Sequence, residues 1–485
     1  MRSNPFRILT TALLALTLAA TPAAAAPDVP LDDPIPEKPT PSALTLTLEE
    51  FAAFPKTEPV PTPTDQRLVR WARINYLGQV PDHTGRLFVN DLNGKLYLRD
   101  HTGAWVEYLD VGTAFAPDFI SGRGLGSGFG FVAFHPDFAK NGRFYTVHTE
   151  AGAALAKPPD LTPQPNSIVH GVISEWTAAN PRANAFEGTR REILRLGFGT
   201  NIHGIQQIDF NPTAKRGDPD HGLLYVAAGD GGRGVTTTYA QDLGLPQGKI
   251  LRIDPAGTNS ANGKYGIPSG NPFVTRPGAL GEIYAYGMRD PHRFSWDQGG
   301  SKRLLLGHIG EHAIEAIYDV RAGDNLGWSA REGSFVFKQE DRCRLYTLPD
   351  NDAELGYTYP VAAYDHDPPP GHRCTSDSGH AVVGGMVYRG RRLPFLFGKY
   401  VFGDIVDGKI WFTYAHRMRR GEERAVMYEP VLKDTAGNRV TMRDLAGSNR
   451  VDLRFGRDAK GELYVLSKAN GKIWKVTSAR WEPGS

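Results

Sequence analysis

The strongest constraint on the fold is a pattern that recurs six times. An alternating strand is followed by a polar turn, an apolar strand, a glycine-containing hairpin, and a strand of the Gly-Lys-Ile-Trp type. The copy from His203 to Asp230, HGIQQIDFNPTAKRGDPDHGLLYVAAGD, shows it well: period-two alternation, a turn rich in Asp, Pro and Lys, then an apolar run ending at a Gly-rich exit. Other copies occupy 72–100, 129–178, 282–320, 384–415 and 450–477, and the third extends to 255. Each unit is one small antiparallel sheet with a face it cannot bury alone, so stacking around an axis is the economical solution. The pattern predicts an all-β chain, a six-bladed β-propeller with long inter-strand insertions. Two β-sandwiches are the alternative, and the lack of a linker between units argues against it. The insertions fall at 151–169, 232–247, 256–281 and 329–380, and in such scaffolds they gather on one face.

The 55 glycines and 36 prolines fit a chain of many turns. Residues 1–26 carry two arginines, an apolar run and an alanine-rich end, the pattern of a signal peptide removed on export. This predicts a secreted or periplasmic protein with no membrane span. Arg2 and Arg7 fall in that segment and no acid does, so the 55 basic against 53 acidic residues become 53 against 53. A near-neutral chain gives nucleic acid or an anionic membrane no general attraction. Residues 27–66 form a Pro-rich leader, in which the alternating LTLTLEEF stretch is a candidate strand, and the propeller is expected over 67–480. Cys343 and Cys374, the two cysteines of the chain, are expected to pair as a structural staple in an oxidising compartment.

In a propeller the first strand of each unit lines the channel, and the residue just before it faces the mouth. Those positions hold Arg73, the glycines of 126–130, His203, Arg289-Asp290-Pro291-His292, Gly384-Gly385 and Arg450. Converging guanidinium groups suit a planar anionic ligand, and the glycines leave room for one to lie close to backbone. His203 is the candidate reacting group, with strand capping as its alternative. The Gly-Asp-Gly-Gly at 229–232 reads as a turn rather than a calcium ligand set. No dinucleotide-binding glycine fingerprint followed by a helix occurs.

AFHPDFAKNGRFY, the HG…LYVAAGDGG stretch, QGKILRIDP, EIYAYGMRDP, DNLGW and GGMVYRG…GKYVFGDIVDGKIW together resemble the soluble pyrroloquinoline-quinone (PQQ) dependent sugar dehydrogenases of the glucose/sorbosone dehydrogenase superfamily. The resemblance runs in order over about residues 70 to 477. It implies PQQ and Ca²⁺ as cofactors, a small-molecule sugar as substrate, and an electron acceptor that is a small molecule, a cytochrome or a membrane quinone. It implies His203 as the base that takes the proton of the anomeric hydroxyl, and Arg289 beside the quinone. The Gly310 and Glu311 carbonyls would hold calcium and Trp328 would shape the sugar site. Arg389 would contact the cofactor, with Arg73, Asp290, His292 and Arg450 completing its surroundings. The chain departs from the family at Asp290, where Asn is usual, at Ile202, where glucose-oxidising members carry an acid, and at Asp404 and Asp407, where some members place arginines. A propeller that has lost the cofactor and binds a protein or glycan is the second reading. A calcium-dependent hydrolase such as a lactonase is the third, and the basic mouth argues against it.

Overall fold

A computed structural model describes residues 29–367 and 380–482. Its strands form six four-stranded antiparallel blades, each ordered from an inner to an outer strand; three are separate sheets and three run together in one twelve-stranded sheet. The inner strands are Ile74–Gln79, Phe131–Phe134, Ile205–Phe210, Asp290–Trp296, Val382–Val387 and Leu453–Arg457. Neighbouring inner strands pack on one another, and the first meets the second through the rings of Tyr76 and Phe131, 4.7 Å apart. The chain is a six-bladed β-propeller, as the repeat predicts.

The alternation explains the layers. In Leu224–Ala228 and Lys249–Ile253 every position is buried or nearly so, as expected of central strands sandwiched between adjacent blades. Between blades, Phe131, Tyr145, Ile173, Leu194, Ile208, Phe210, Val226 and Leu251 form one apolar layer of the second and third sheets. The sequence reading places Glu282–Tyr286 at the head of the fourth unit. In the structure Ile283–Tyr286 pairs with Lys249–Ile253 and is the outer strand of the third sheet, so the fourth begins at Asp290.

The leader contributes to the ring. Thr40–Ala53 is the outer strand of the sixth blade, antiparallel to Lys472–Trp481, and it also pairs in parallel with Tyr428–Lys433 of the fifth. One N-terminal strand thus joins two blades. Its Leu44, Leu46 and Leu48 are buried among Trp474, Val476 and Leu432, which accounts for the leucine alternation. Leu46→Ala is expected to destabilise the fold by about 2–5 kcal/mol in chemical denaturation, the usual cost of emptying a leucine-sized core position; a loss below 1 kcal/mol would show that the strand merely lies on the blade.

The 329–380 insertion carries a small separate sheet of Arg331–Glu332, Phe335–Lys338, Asp341–Tyr346 and Pro30–Leu31. Cys343 lies on it, and Cys374 lies outside the described residues, as does the signal segment 1–26. Among the described residues no helix is long and apolar enough to cross a membrane.

Candidate functional site

The mouth of the channel opens into a cavity of about 390 Å³. Of the sequence-predicted positions, Arg73, His203, Arg289, Asp290, His292, Gly310, Glu311 and Arg450 line it, with Gly126 and Gly130 on the second blade's side. The structure brings these together from five blades because each precedes, begins or neighbours an inner strand.

Three expected positions lie elsewhere. Arg389 follows the inner strand of the fifth blade at its far end and forms a two-pronged ion pair with Asp297, at 2.8 and 2.9 Å, away from the cavity. Its place past the end of the strand, not before it, puts it on the wrong side of the ring to meet a ligand at the mouth. Gly384 and Gly385 sit within the strand Val382–Val387 and line a smaller cavity lower in the channel. Trp328, 1% exposed, does not line the cavity. It stands behind the wall and acts through Asp230.

Asp230 is the residue that sequence reading missed as a site residue, having treated it as part of a turn. Its Oδ1 lies 2.8 Å from His203 Nδ1 and accepts the Gly232 N–H at 2.8 Å. Its Oδ2 accepts the Trp328 indole N–H at 2.9 Å and the Gly234 N–H at 3.0 Å. Gly234 has to be glycine: a Cβ there would collide with both the Trp328 indole nitrogen and Asp230 Oδ2. Burial alone would raise the Asp230 carboxyl pKa. The hydrogen bond and charge of His203, the charge of Arg289 and the Trp328 indole outweigh it and hold the pKa below the ordinary carboxylate value. The turn reading was therefore right about the backbone, and the same side chain also fixes the histidine.

His203 is 9% exposed and adopts φ of 53°, in the left-handed region. A non-glycine residue pays roughly 1 kcal/mol or more for that conformation, so the surrounding contacts must hold it there. With Nδ1 on Asp230, Nε2 is left to the cavity. The remaining groups of this wall are also tied. Arg289 donates to Glu311 Oε2 through Nε at 2.9 Å and Nη2 at 2.6 Å, and Arg342 donates to Glu311 Oε1 at 2.9 Å. The Arg289 backbone N–H donates to His308 Nε2 at 2.8 Å, and burial with the Arg289 charge depresses the His308 pKa to about 3, so that ring is neutral.

The floor is a cluster of buried cations that sequence reading passed over. Arg293, Arg454 and Lys468 line the cavity beside Arg73. Burial first, then mutual repulsion, lowers Arg293 to about 9. Burial lowers Arg73 and Arg454 to about 10, and pushes Lys468 well below the usual lysine value. Arg454 donates to Asn75 Oδ1 at 3.1 Å, Arg293 to the Gln206 carbonyl at 2.8 Å, and Arg73 to the Leu125 carbonyl at 2.8 Å. Neutral partners satisfy their N–H groups without cancelling their charge. Two acids stand at the floor: Asp452, paired with Arg70 at 2.6 Å and Arg450 at 2.9 Å, whose charge also reaches Arg73, Arg454 and Lys468, and Asp290, whose Oδ1 is buried with no hydrogen-bond partner and whose pKa burial raises. His292 is buried, with Nδ1 3.1 Å from the Val383 carbonyl, and burial beside Arg293 and Arg454 keeps it neutral. Asn75, Gln206 and Arg454 each stand second in an inner strand. Period-two alternation applied inside those strands would have found them.

A floor of buried cations only partly compensated by acids, under a histidine–aspartate pair, is suited to bind a polyanion and to take a proton from a group lying against it. Comparison with known proteins bears on which. A family profile described as Glucose / Sorbosone dehydrogenase matches residues 76–475. HIPL1 protein of Arabidopsis thaliana is 27% identical, over 87% of this chain and 64% of its own length. Hedgehog-interacting protein of Homo sapiens is 25% identical, over 82% of this chain and 50% of its own length. The chain therefore spans less than two thirds of either relative. The PQQ-bound form of an aldose sugar dehydrogenase from Streptomyces coelicolor superposes with a TM-score of 0.55 at 19% identity, covering 90% of this chain and 99% of that one.

Proposed function

The chain belongs to the glucose/sorbosone dehydrogenase family, and from that premise we propose that it is an exported quinoprotein that oxidises an aldose, or a similar hydroxy compound, at its anomeric hydroxyl to the lactone. The observation that carries this reading is the His203–Asp230 pair at the wall of a cavity floored by partly compensated buried cations. PQQ is a flat tricarboxylate. Arg73, Arg293, Arg454 and Lys468 offer it positive charge that no protein carboxylate neutralises in full, while Arg450 at the rim is paired with Asp452 at 2.9 Å. For Ca²⁺ the carbonyls of Gly310 and Glu311 fit, since among the described residues neither accepts a backbone hydrogen bond. When bound, PQQ supplies a two-electron acceptor for hydride and Ca²⁺ an electrophile beside it.

The protein's own part is proton transfer and placement. Asp230 accepts from His203 Nδ1, fixing the tautomer in which Nε2 is the acceptor. Nε2 takes the hydroxyl proton, and Asp230 stabilises the imidazolium that results. Trp328, Gly232 and Gly234 hold the carboxylate in place, so Trp328 is a positioning residue. Trp328→Phe removes one donor and leaves Asp230 with more charge for the imidazolium. It is expected to lower kcat several-fold, up to about tenfold, with KM and PQQ affinity little changed. An unchanged kcat would leave Trp328 a packing role alone.

The test of the whole reading is titration of chelator-treated protein with PQQ, with and without Ca²⁺, followed by dye reduction with a panel of aldoses. Saturable calcium-dependent binding with dye reduction is expected. Failure to bind micromolar PQQ would overturn it. The second reading is a propeller that binds a protein or glycan partner without redox chemistry. It is favoured by Asp290, an acid in the cavity lining whose buried oxygen no protein donor satisfies, and by the relative named for interaction rather than catalysis.

A further inference from the structure

Beside the cavity, behind its lining on the fifth blade, lies a cluster of opposite charge. On the fifth blade His380 precedes the inner strand, Asp404 ends the strand Lys399–Asp404, and Asp407 lies in the turn that follows. One ligand atom from each of the three lies within 4.8 Å of the others, and His380 Nδ1 is 3.5 Å from Asp404 Oδ2. Behind them Glu315, fully buried, pairs with His366 at 2.9 Å, and the His366 and His380 rings are 5.5 Å apart. Among the described residues none of these three carboxylates forms an ion pair with Lys or Arg. That contrasts with the cavity lining, where cations exceed acids.

We propose that His380, Asp404 and Asp407 form a binding site for a divalent transition-metal ion of the Zn²⁺ or Mn²⁺ type, next to the cavity, whose lining His380 joins. A buried carboxylate needs a compensating cation, and Asp404 is 0% exposed with no Lys or Arg ion pair among the described residues. Its orientation is built in: Oδ2 accepts from the Ala381 N–H and the Tyr364 hydroxyl, both at 2.9 Å, and Oδ1 accepts from the Val406 N–H at 2.8 Å. Such supporting bonds are what fix a metal ligand's direction. Donors around a tetrahedral ion with bonds of about 2.1 Å stand about 3.4 Å apart, close to the His380–Asp404 separation. An imidazole with two carboxylates favours Zn²⁺ or Mn²⁺ over Ca²⁺, which prefers oxygen alone. Three protein ligands leave a coordination position free. His380, Ile405 and Val406 line the cavity, and Asp404 and Asp407 stand behind that lining. The ion would add positive charge beside the cavity, and the site stands whether or not the cavity holds PQQ.

The experiment is calorimetric titration of untagged, chelator-treated full-length protein with Zn²⁺ and with Mn²⁺, repeated on His380→Ala and Asp407→Asn. His380 is partly exposed and Asp407 accepts only the Lys409 N–H of its own turn, so both variants are expected to fold, as thermal denaturation checks. One equivalent is expected to bind wild type, at least ~10-fold more weakly in each variant. A Co²⁺ adduct should show a visible band that His380→Ala abolishes. Absence of a stoichiometric site, or equal affinity in wild type and both variants, overturns the proposal. Should one variant fail to fold, the other and the Co²⁺ spectrum decide.

Discussion

His203→Gln is expected to lower turnover of the PQQ- and Ca²⁺-loaded protein at least ~10²-fold, the usual contribution of a positioned general base. The substitution is chosen for what it keeps. A glutamine amide is still able to donate to Asp230, so the carboxylate does not lose its partner, and the left-handed backbone at position 203 is asked to hold a side chain of similar reach. What it removes is the imidazole Nε2, the acceptor that faces the cavity. Cofactor affinity should change little, because the cations that would hold it are on the floor and not on this wall. The measurement is steady-state dye reduction together with a PQQ binding isotherm on the same preparation. Unchanged turnover would remove His203 from the mechanism. Lost PQQ binding with it would mean the histidine holds the cofactor.

Lys468→Met is expected to act in opposite directions on stability and on binding. Burial, Arg454 and Arg73 all disfavour the charged amine, and Asp452 only partly compensates. Replacing a buried charge of this kind with an apolar side chain of similar volume is expected to stabilise the ligand-free protein by about 1–4 kcal/mol. The sign of the pH dependence follows. A base whose folded pKa is depressed binds fewer protons folded than unfolded, so its cost is fully present at low pH and fades as pH rises toward 10.5. The variant's advantage in thermal unfolding should shrink over that window. PQQ affinity should fall about 10-fold or more, as the loss of one charge-assisted contact of ~1.4 kcal/mol requires. Both effects come from the same charge. A destabilised variant would show that Lys468 is paired in a way the cavity does not reveal, and unchanged affinity would place the anion elsewhere.

Much of this molecule is legible in its sequence because the relevant signals are local. Alternation and glycine hairpins specify each blade without reference to its neighbours, and the residue before an inner strand reaches the mouth in any propeller. His203, Arg289, Asp290 and Arg450 were found that way. Arg389 was misplaced because the resemblance assigns it by motif, whereas its position past the strand end commits it to Asp297. Trp328 was placed against substrate because it closes a recognisable motif, and the structure turns its indole to Asp230.

The amino-acid sequence by itself determined the six blades and several of the residues at the mouth, His203, Arg289 and Arg450 among them, since a period of two and a turn every few residues are properties of neighbours in the chain. Only the tertiary structure decided which of those residues have company. The Asp230–His203–Trp328 arrangement, the Arg73–Arg293–Arg454–Lys468 floor and the His380–Asp404–Asp407 cluster each join residues from distant parts of the chain or from successive turns. Their chemistry depends on burial and on the charges within a few ångströms, and neither quantity exists until the ring has closed.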